Sequence, residues 1–159
     1  MRRDFAWARR GRRAFSTRPF GKWRTVSLIG AVRIGERPRL MTHRGAVNGQ
    51  VFLRFVRRRH VPWLRKGDIV CLDNLGTHKV KGVREAIEGA GAIAIYLPPY
   101  SPDLNPIELW WADLKRQLRH LAVDTEQELR AAVRKLRAGL PVQKLLAWFT
   151  HCSPHLQHQ

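Results

Sequence analysis

The chain has 159 residues, 44% of them hydrophobic, and a formal net charge of +18 from 30 Lys and Arg against 12 Asp and Glu. That length suits one domain, and that apolar fraction can fill a core, which excludes a disordered tail. No apolar run approaches the roughly 18 residues of a membrane span, and no apolar stretch follows the basic start as a secretory signal requires.

So basic a chain attracts polyanions, and nucleic acid is the expected partner. The charge is uneven: residues 1–24 carry nine Arg or Lys, and residues 54–66 carry six and no acid. The two cysteines, Cys71 and Cys152, have no zinc spacing, and a reducing cytoplasm is the expected compartment. Cys71 sits in an apolar run and reads as a small hydrophobe.

Taken in chain order, residues 1–22 show no steady period and read as a basic arm. Arg9, Arg10, Arg12 and Arg13 are candidate DNA contacts there. Phe5, Trp7 and Phe15 interleave with the arginines; they suit either stacking on bases or packing back on the core. Thr25 to Ile34 is apolar and β-branched and predicts a strand, Gly35 to Pro38 a turn, and Arg39 to His43 a shorter second strand of a hairpin. Val47 to Arg59 predicts a helix with Asn48 as N-cap, ended by Pro62. Arg57, Arg58 and Arg59 near its end could follow a phosphate backbone or form a solvated helix end. Ile69 to Leu72 predicts a fully buried strand ending at Asp73. Lys79 to Gly89 predicts a helix, and Ala92 to Leu97 another buried strand. Pro98 to Pro102 is a proline-set turn. A helix is expected from Pro106 to about Leu121 with Asn105 as N-cap, another from Glu126 to Ala138 capped by Asp124 or Thr125, and a last short one over 141–149. The tail 151–159, with three histidines, is expected to fray.

Two stretches carry chemistry. Leu72-Asp73-Asn74-Leu75-Gly76-Thr77-His78 places a carboxylate at the carboxyl end of a strand, where α/β sheets bind ligands. Leu97-Pro98-Pro99-Tyr100-Ser101-Pro102-Asp103-Leu104-Asn105-Pro106-Ile107-Glu108 delivers a second carboxylate in a helix's first turn behind a rigid loop. Paired carboxylates suit hard cations, Mg²⁺ or Mn²⁺, and two such ions about 3.5–4 Å apart perform phosphodiester chemistry. Singly, Asp73 reads as a turn aspartate and Glu108 as a glutamate favoured by the helix dipole. Asp103 reads as a turn residue, and Asp113 as a surface residue. Trp110 and Trp111 are adjacent and cannot share a helix face, so one is expected in the core and the other exposed.

The segments LDNLGTHK and LPPYSPDLNPIELWWADLK, with 34 residues between Asp73 and Glu108, resemble the catalytic core of DDE transposases of the mariner type and their bacterial insertion-sequence relatives. Weaker similarity runs back through GKWRTVSLIGAV and VNGQVFLRFV. The resemblance implies a ribonuclease-H-like α/β fold over 23–150 and metal-dependent DNA cleavage and strand transfer in transposition. It makes Asp73 the second and Glu108 the third metal-binding acid. Asn74 and His78 would support the site or touch DNA, and Asn105 would orient the helix start. It implies two Mg²⁺ or Mn²⁺ ions, double-stranded DNA at element ends and target as partner, a homodimer on DNA, and a bacterial, nucleoid-associated protein.

The family's first acid lies on an opening strand in the middle of the sheet, and RRDFAWARRGRRAF resembles the arginine-rich loop after that strand. Asp4 does not match the strand's context. Two half-sheets with unpaired edges are therefore expected, in a chain that folds poorly alone or takes the strand from an upstream-encoded half. The alternative is an inactive DNA-binding remnant.

Overall fold

The computed structural model describes residues 8–13 and 25–153. Asp4, Phe5, Trp7, Phe15, His155 and His158 lie outside them. Strands β1 (Val26–Arg33) and β2 (Glu36–Arg44) form an antiparallel hairpin. β2 starts earlier than expected and includes Pro38. An edge strand tolerates proline, and here Arg137 of α4 (Glu126–Ala138) donates to the Pro38 carbonyl at 3.2 Å.

Helix α1 is short, Gly49–Phe55, with the Asn48 side chain accepting from Val51 N at 3.0 Å as expected of an N-cap. The expected single helix breaks here. A π-helical turn, Val56–His60, and a 3₁₀ turn, Val61–Trp63, lead through Pro62 into the next loop. Proline lacks the amide that would continue the α ladder. Strands β3 (Ile69–Leu72) and β4 (Ile93–Tyr96) pair in parallel, in register from Ile69↔Ile93 to Leu72↔Tyr96.

These two strands are not fully buried. Val70, Leu72 and Ala94 pack on α1 and on α2 (Val83–Glu88), but Ile69 is 62% and Ile93 54% exposed on the opposite face. Cys71 shares that face and is exposed, although local burial pushes its thiol pKa up. The helix expected from Lys79 begins only at Val83, because Gly82 holds φ at +97°, a left-handed conformation that breaks the helical path.

Helices α3 (Pro106–Leu121) and α4 match expectation. Thr125, not Asp124, caps α4 through a capping box with Glu128. α5 runs over Val142–Cys152, beyond the expected end at Phe149. α3 and α4 cover the β1–β2 hairpin: Leu28 and Leu40 meet Leu114, Leu118 and Val133, while Val32 and Leu40 meet Trp110 and Leu145. The described residues thus form two separate two-stranded sheets, β1–β2 and β3–β4. No helix is long and apolar enough to cross a membrane among the described residues.

Candidate active site

Asp73 follows β3 directly. Its Oδ1 accepts from Leu75 N at 3.2 Å, and the His78 Nδ1 sits against the same oxygen. His78 is held from two sides. Its ring stacks on Phe52 at 3.9 Å, and its carbonyl accepts from the Tyr96 hydroxyl at 3.0 Å. Burial lowers the His78 pKa, and the Asp73 carboxylate partly offsets this by raising it. His78 is therefore packed against Asp73, which sequence alone left undecided.

Glu108 comes from the other side. A 3₁₀ turn over Pro102–Leu104 leads to Asn105, whose side chain accepts from Ile107 N at 3.4 Å and whose carbonyl accepts from Glu108 N at 3.0 Å. Pro106 in the first turn presets the helical φ. Glu108 is exposed, one helical turn from the anchor of α3.

That anchor includes Asp113, which is buried rather than on the surface. Arg116 and Gln117 of its own helix and Lys144 of α5 surround it, with Lys144 Nζ at 2.9 Å. Burial is the largest influence and pushes its pKa up, but Lys144 and Arg116 outweigh it and hold the carboxyl below its usual value. Spacing along α3 placed Asp113 away from Glu108; only the tertiary fold shows that α5 covers that face.

Asp73, His78, Asn105 and Glu108 all line one cavity of about 1000 Å³, together with Trp111 and Phe149. Asn74 is half-buried beside it and is not part of its lining. Trp110 is 2% exposed and Trp111 stacks on it at 4.7 Å, so both tryptophans pack, the second as cavity wall. Asp103 is exposed in its turn. Arg57, Arg58 and Arg59 are exposed on the π-helical turn, and Arg9, Arg10, Arg12 and Arg13 are exposed around a turn at Arg10-Gly11. Among the described residues, no three His, Cys, Asp or Glu side chains converge on a metal-sized site.

His60 is a cavity residue that the sequence did not single out. It is 8% exposed, and neither ring nitrogen has a hydrogen-bond partner. Burial, reinforced by Arg33 and opposed by Asp68, lowers its pKa to about 4. Between that value and the ordinary value near 6.5, the unfolded chain binds the extra proton and the folded chain does not. Stability is therefore expected to fall as pH drops from about 6.5 towards 4, by about 3 kcal/mol from this group. Urea titrations of the wild type and His60→Leu at both ends of that window check this. An equal pH slope in the two proteins would remove His60 as the cause.

The sequence profile of the DDE superfamily endonucleases matches residues 1–130. This chain belongs to that family. The DDE fold is confirmed by solved structures of Mos1 mariner transposase. A Mos1 strand transfer complex matches with a TM-score of 0.69 at 17% identity, covering 98% of this chain and 48% of that one. A pre-cleavage Mos1 transpososome matches at 0.68 and 16%, covering 98% and 49%. The isolated Mos1 catalytic domain matches at 0.59 and 14%, covering 83% and 77%. No curated protein matches. The DDE chain thus has the ribonuclease-H-like fold and spans about half the length of the full Mos1 chains. Among the described residues its strands form two separate pairs.

Proposed function

We propose that this chain is the catalytic part, residues 23–150, of a DNA transposase that cleaves and joins strands at the ends of an insertion element. The observation that carries the reading is that Asp73 and Glu108 reach one cavity from two independently anchored elements. Their hard oxygen donors suit Mg²⁺ or Mn²⁺. Such ions, when bound, would activate the attacking oxygen and stabilise the leaving one.

The chain's own residues do the positioning. Leu75 N–H and His78 hold Asp73 Oδ1, which leaves the other oxygen for a cation. Asn105 and Pro106 fix the first turn of α3 and with it Glu108. The exposed arginines at 9–13 and 57–59 supply sequence-independent phosphate contacts. Among the described residues, three acids line the cavity, but Asp68 is held by Arg33, so two, Asp73 and Glu108, are left for a cation, and a third carboxylate is expected from the upstream-encoded half. The working enzyme is then a dimer of complete subunits on DNA. That same count of acids favours the second reading, a DNA-binding remnant without activity.

The deciding experiment uses the complete enzyme and a labelled duplex carrying the ends of its own element. Strand cleavage should appear with Mg²⁺ or Mn²⁺ and vanish in EDTA; cleavage that persists in EDTA would sink the reading. A second expectation concerns His78. His78→Ala should weaken Mn²⁺ binding by about 10–100-fold, as loss of a ligand's supporting partner does. Unchanged affinity by calorimetry would assign His78 to packing alone.

A further inference from the structure

Among the described residues, two that are not glycine hold a positive φ, Ala122 at 47° and Tyr100 at 57°. Ala122 is ordinary, since it caps the C-terminus of α3, and helices commonly end on a left-handed residue. Tyr100 has no such reason. A bulky side chain in the left-handed region is strained, and glycine or asparagine would fit the turn without it. Tyr100 is also 102% exposed, so its ring packs on nothing among the described residues and no burial offsets the strain. Strain of this kind gathers at sites of function.

The loop that carries Tyr100 is tied at each end to one of the two acids. At its start, Leu97 N donates at 2.8 Å to the carbonyl of Leu72, the residue before Asp73. At its end, Leu104 N donates to the Ser101 carbonyl at 3.3 Å, Asn105 N to that of Pro102 at 2.9 Å, and Glu108 N to that of Asn105 at 3.0 Å. Ser101 Oγ donates to the Pro99 carbonyl at 3.3 Å, across Tyr100 itself. Pro98, Pro99 and Pro102 remove further freedom. Three residues of chain span about 10 Å at most, so the backbone of Tyr100 stands within about 10 Å of Leu97. Leu104, 46% exposed, sits on the same loop. A stiff backbone therefore holds an unburied aromatic ring and a half-exposed leucine beside the elements that carry Asp73 and Glu108.

We infer that Tyr100 is a DNA-contacting residue of this active site, a wedge whose ring stacks on a base at an opened step beside the scissile phosphate. Bases in a duplex already stack on both faces, so a ring finds room only where a step opens. Inserted apolar side chains open steps by taking the place of a neighbouring base. An apolar ring face suits a base and not a phosphate, and every base has such a face, so the contact serves any sequence. The stiff loop sets the ring in place beforehand, which lowers the cost of ordering it on binding. A second copy of this chain is a poorer fit: one ring and one leucine fall far short of the roughly 800 Å² a side that a stable subunit contact buries. The inference deepens the proposed function, and rests on its assignment of Asp73 and Glu108 for where the ring meets DNA.

The test uses the complete enzyme and a duplex carrying the ends of its own element, with 2-aminopurine replacing each base that flanks the element end in turn. The emission of this adenine analogue changes with its stacking, and it is read in EDTA so that the signal does not depend on cleavage. Binding of the wild type should change the emission at one position. Tyr100→Phe should keep that change and Tyr100→Ala should abolish it. Single-turnover cleavage in Mg²⁺ should slow about tenfold in Tyr100→Ala, the scale of one lost base–aromatic stack. Tyr100→Gly should match Tyr100→Ala in emission while its melting temperature stays level or rises, because glycine accepts the left-handed backbone. An emission change as large in Tyr100→Ala as in the wild type would overturn the inference. So would its loss in Tyr100→Phe, which would place the hydroxyl and not the ring on DNA. A lowered melting temperature in Tyr100→Gly would assign the ring to holding the loop, and an altered oligomeric state in Tyr100→Ala would assign it to a subunit contact; either overturns it. A wild type that cuts without any emission change removes the wedge and leaves the proposed function standing. One that shows the Tyr100-dependent change but cuts with neither Mg²⁺ nor Mn²⁺ removes the proposed function and leaves Tyr100 on DNA.

Discussion

Asp73→Asn and Glu108→Gln are each expected to lower strand cleavage by the complete transposase by about a thousandfold or more, the scale seen when a group that stabilises transition-state charge is removed. Both replacements keep shape and remove charge, so they remove a cation's ligand with little change in packing. The amide oxygen introduced by Asp73→Asn can still accept from Leu75 N, and Glu108 is exposed. Glu108→Gln should not move the melting temperature much, since exposed substitutions usually cost within about 0.5 kcal/mol. DNA binding should persist, because the proposed phosphate contacts are the exposed arginines and not these acids. The measurement is single-turnover cleavage of a labelled element end in Mg²⁺, with melting and DNA binding recorded on the same samples. Cleavage at the wild-type rate in either variant would overturn the site assignment. Lost cleavage accompanied by a lowered melting temperature would point to misfolding and not to the metal site.

Trp110→Ala is expected to cost about 3–5 kcal/mol, the range for truncating a buried aromatic. Trp110 is the largest fully buried side chain among the described residues. Its ring lies against Gly30 of β1, where even a β-carbon would come within 2.9 Å of both tryptophans. The cluster around it joins Val32 and Leu40 of the hairpin to Leu140 and to Leu145 and Trp148 of α5. Removing the ring opens a cavity between the hairpin and the helix that carries Glu108, so the loss reaches the site through the position of α3. Denaturant unfolding checks the magnitude. A cost below about 1 kcal/mol, as for a surface position, would mean that the hairpin does not depend on this contact.

Much of this architecture was readable in the residues. Proline and Asn105 mark the start of α3, Thr125 and Glu128 mark α4, and the β-branched run at 69–72 marks β3. Those signals are local: a cap or a missing amide acts on backbone within one turn. The order and spacing of Asp73 and Glu108, in their motif context, pointed to the family without any coordinates.

Other features depended on residues distant in sequence. Asp113 looks like a surface acid along α3, and only the arrival of Lys144 on α5 makes it a buried ion-pair centre. His60 carries no sequence signal at all; it becomes an unpartnered buried imidazole because Phe55 and Trp63 enclose it beside the cavity. The runs at 69–72 and 92–97 read as buried strands because continuous apolar strands usually are. In the fold one face of that pair is covered by α1 and α2, while Ile69, Cys71 and Ile93 stay open. Local pattern records what a strand can bury. Whether a neighbour arrives on each face is decided by chain far away, and that is why the open face of β3 and β4 is visible only in three dimensions.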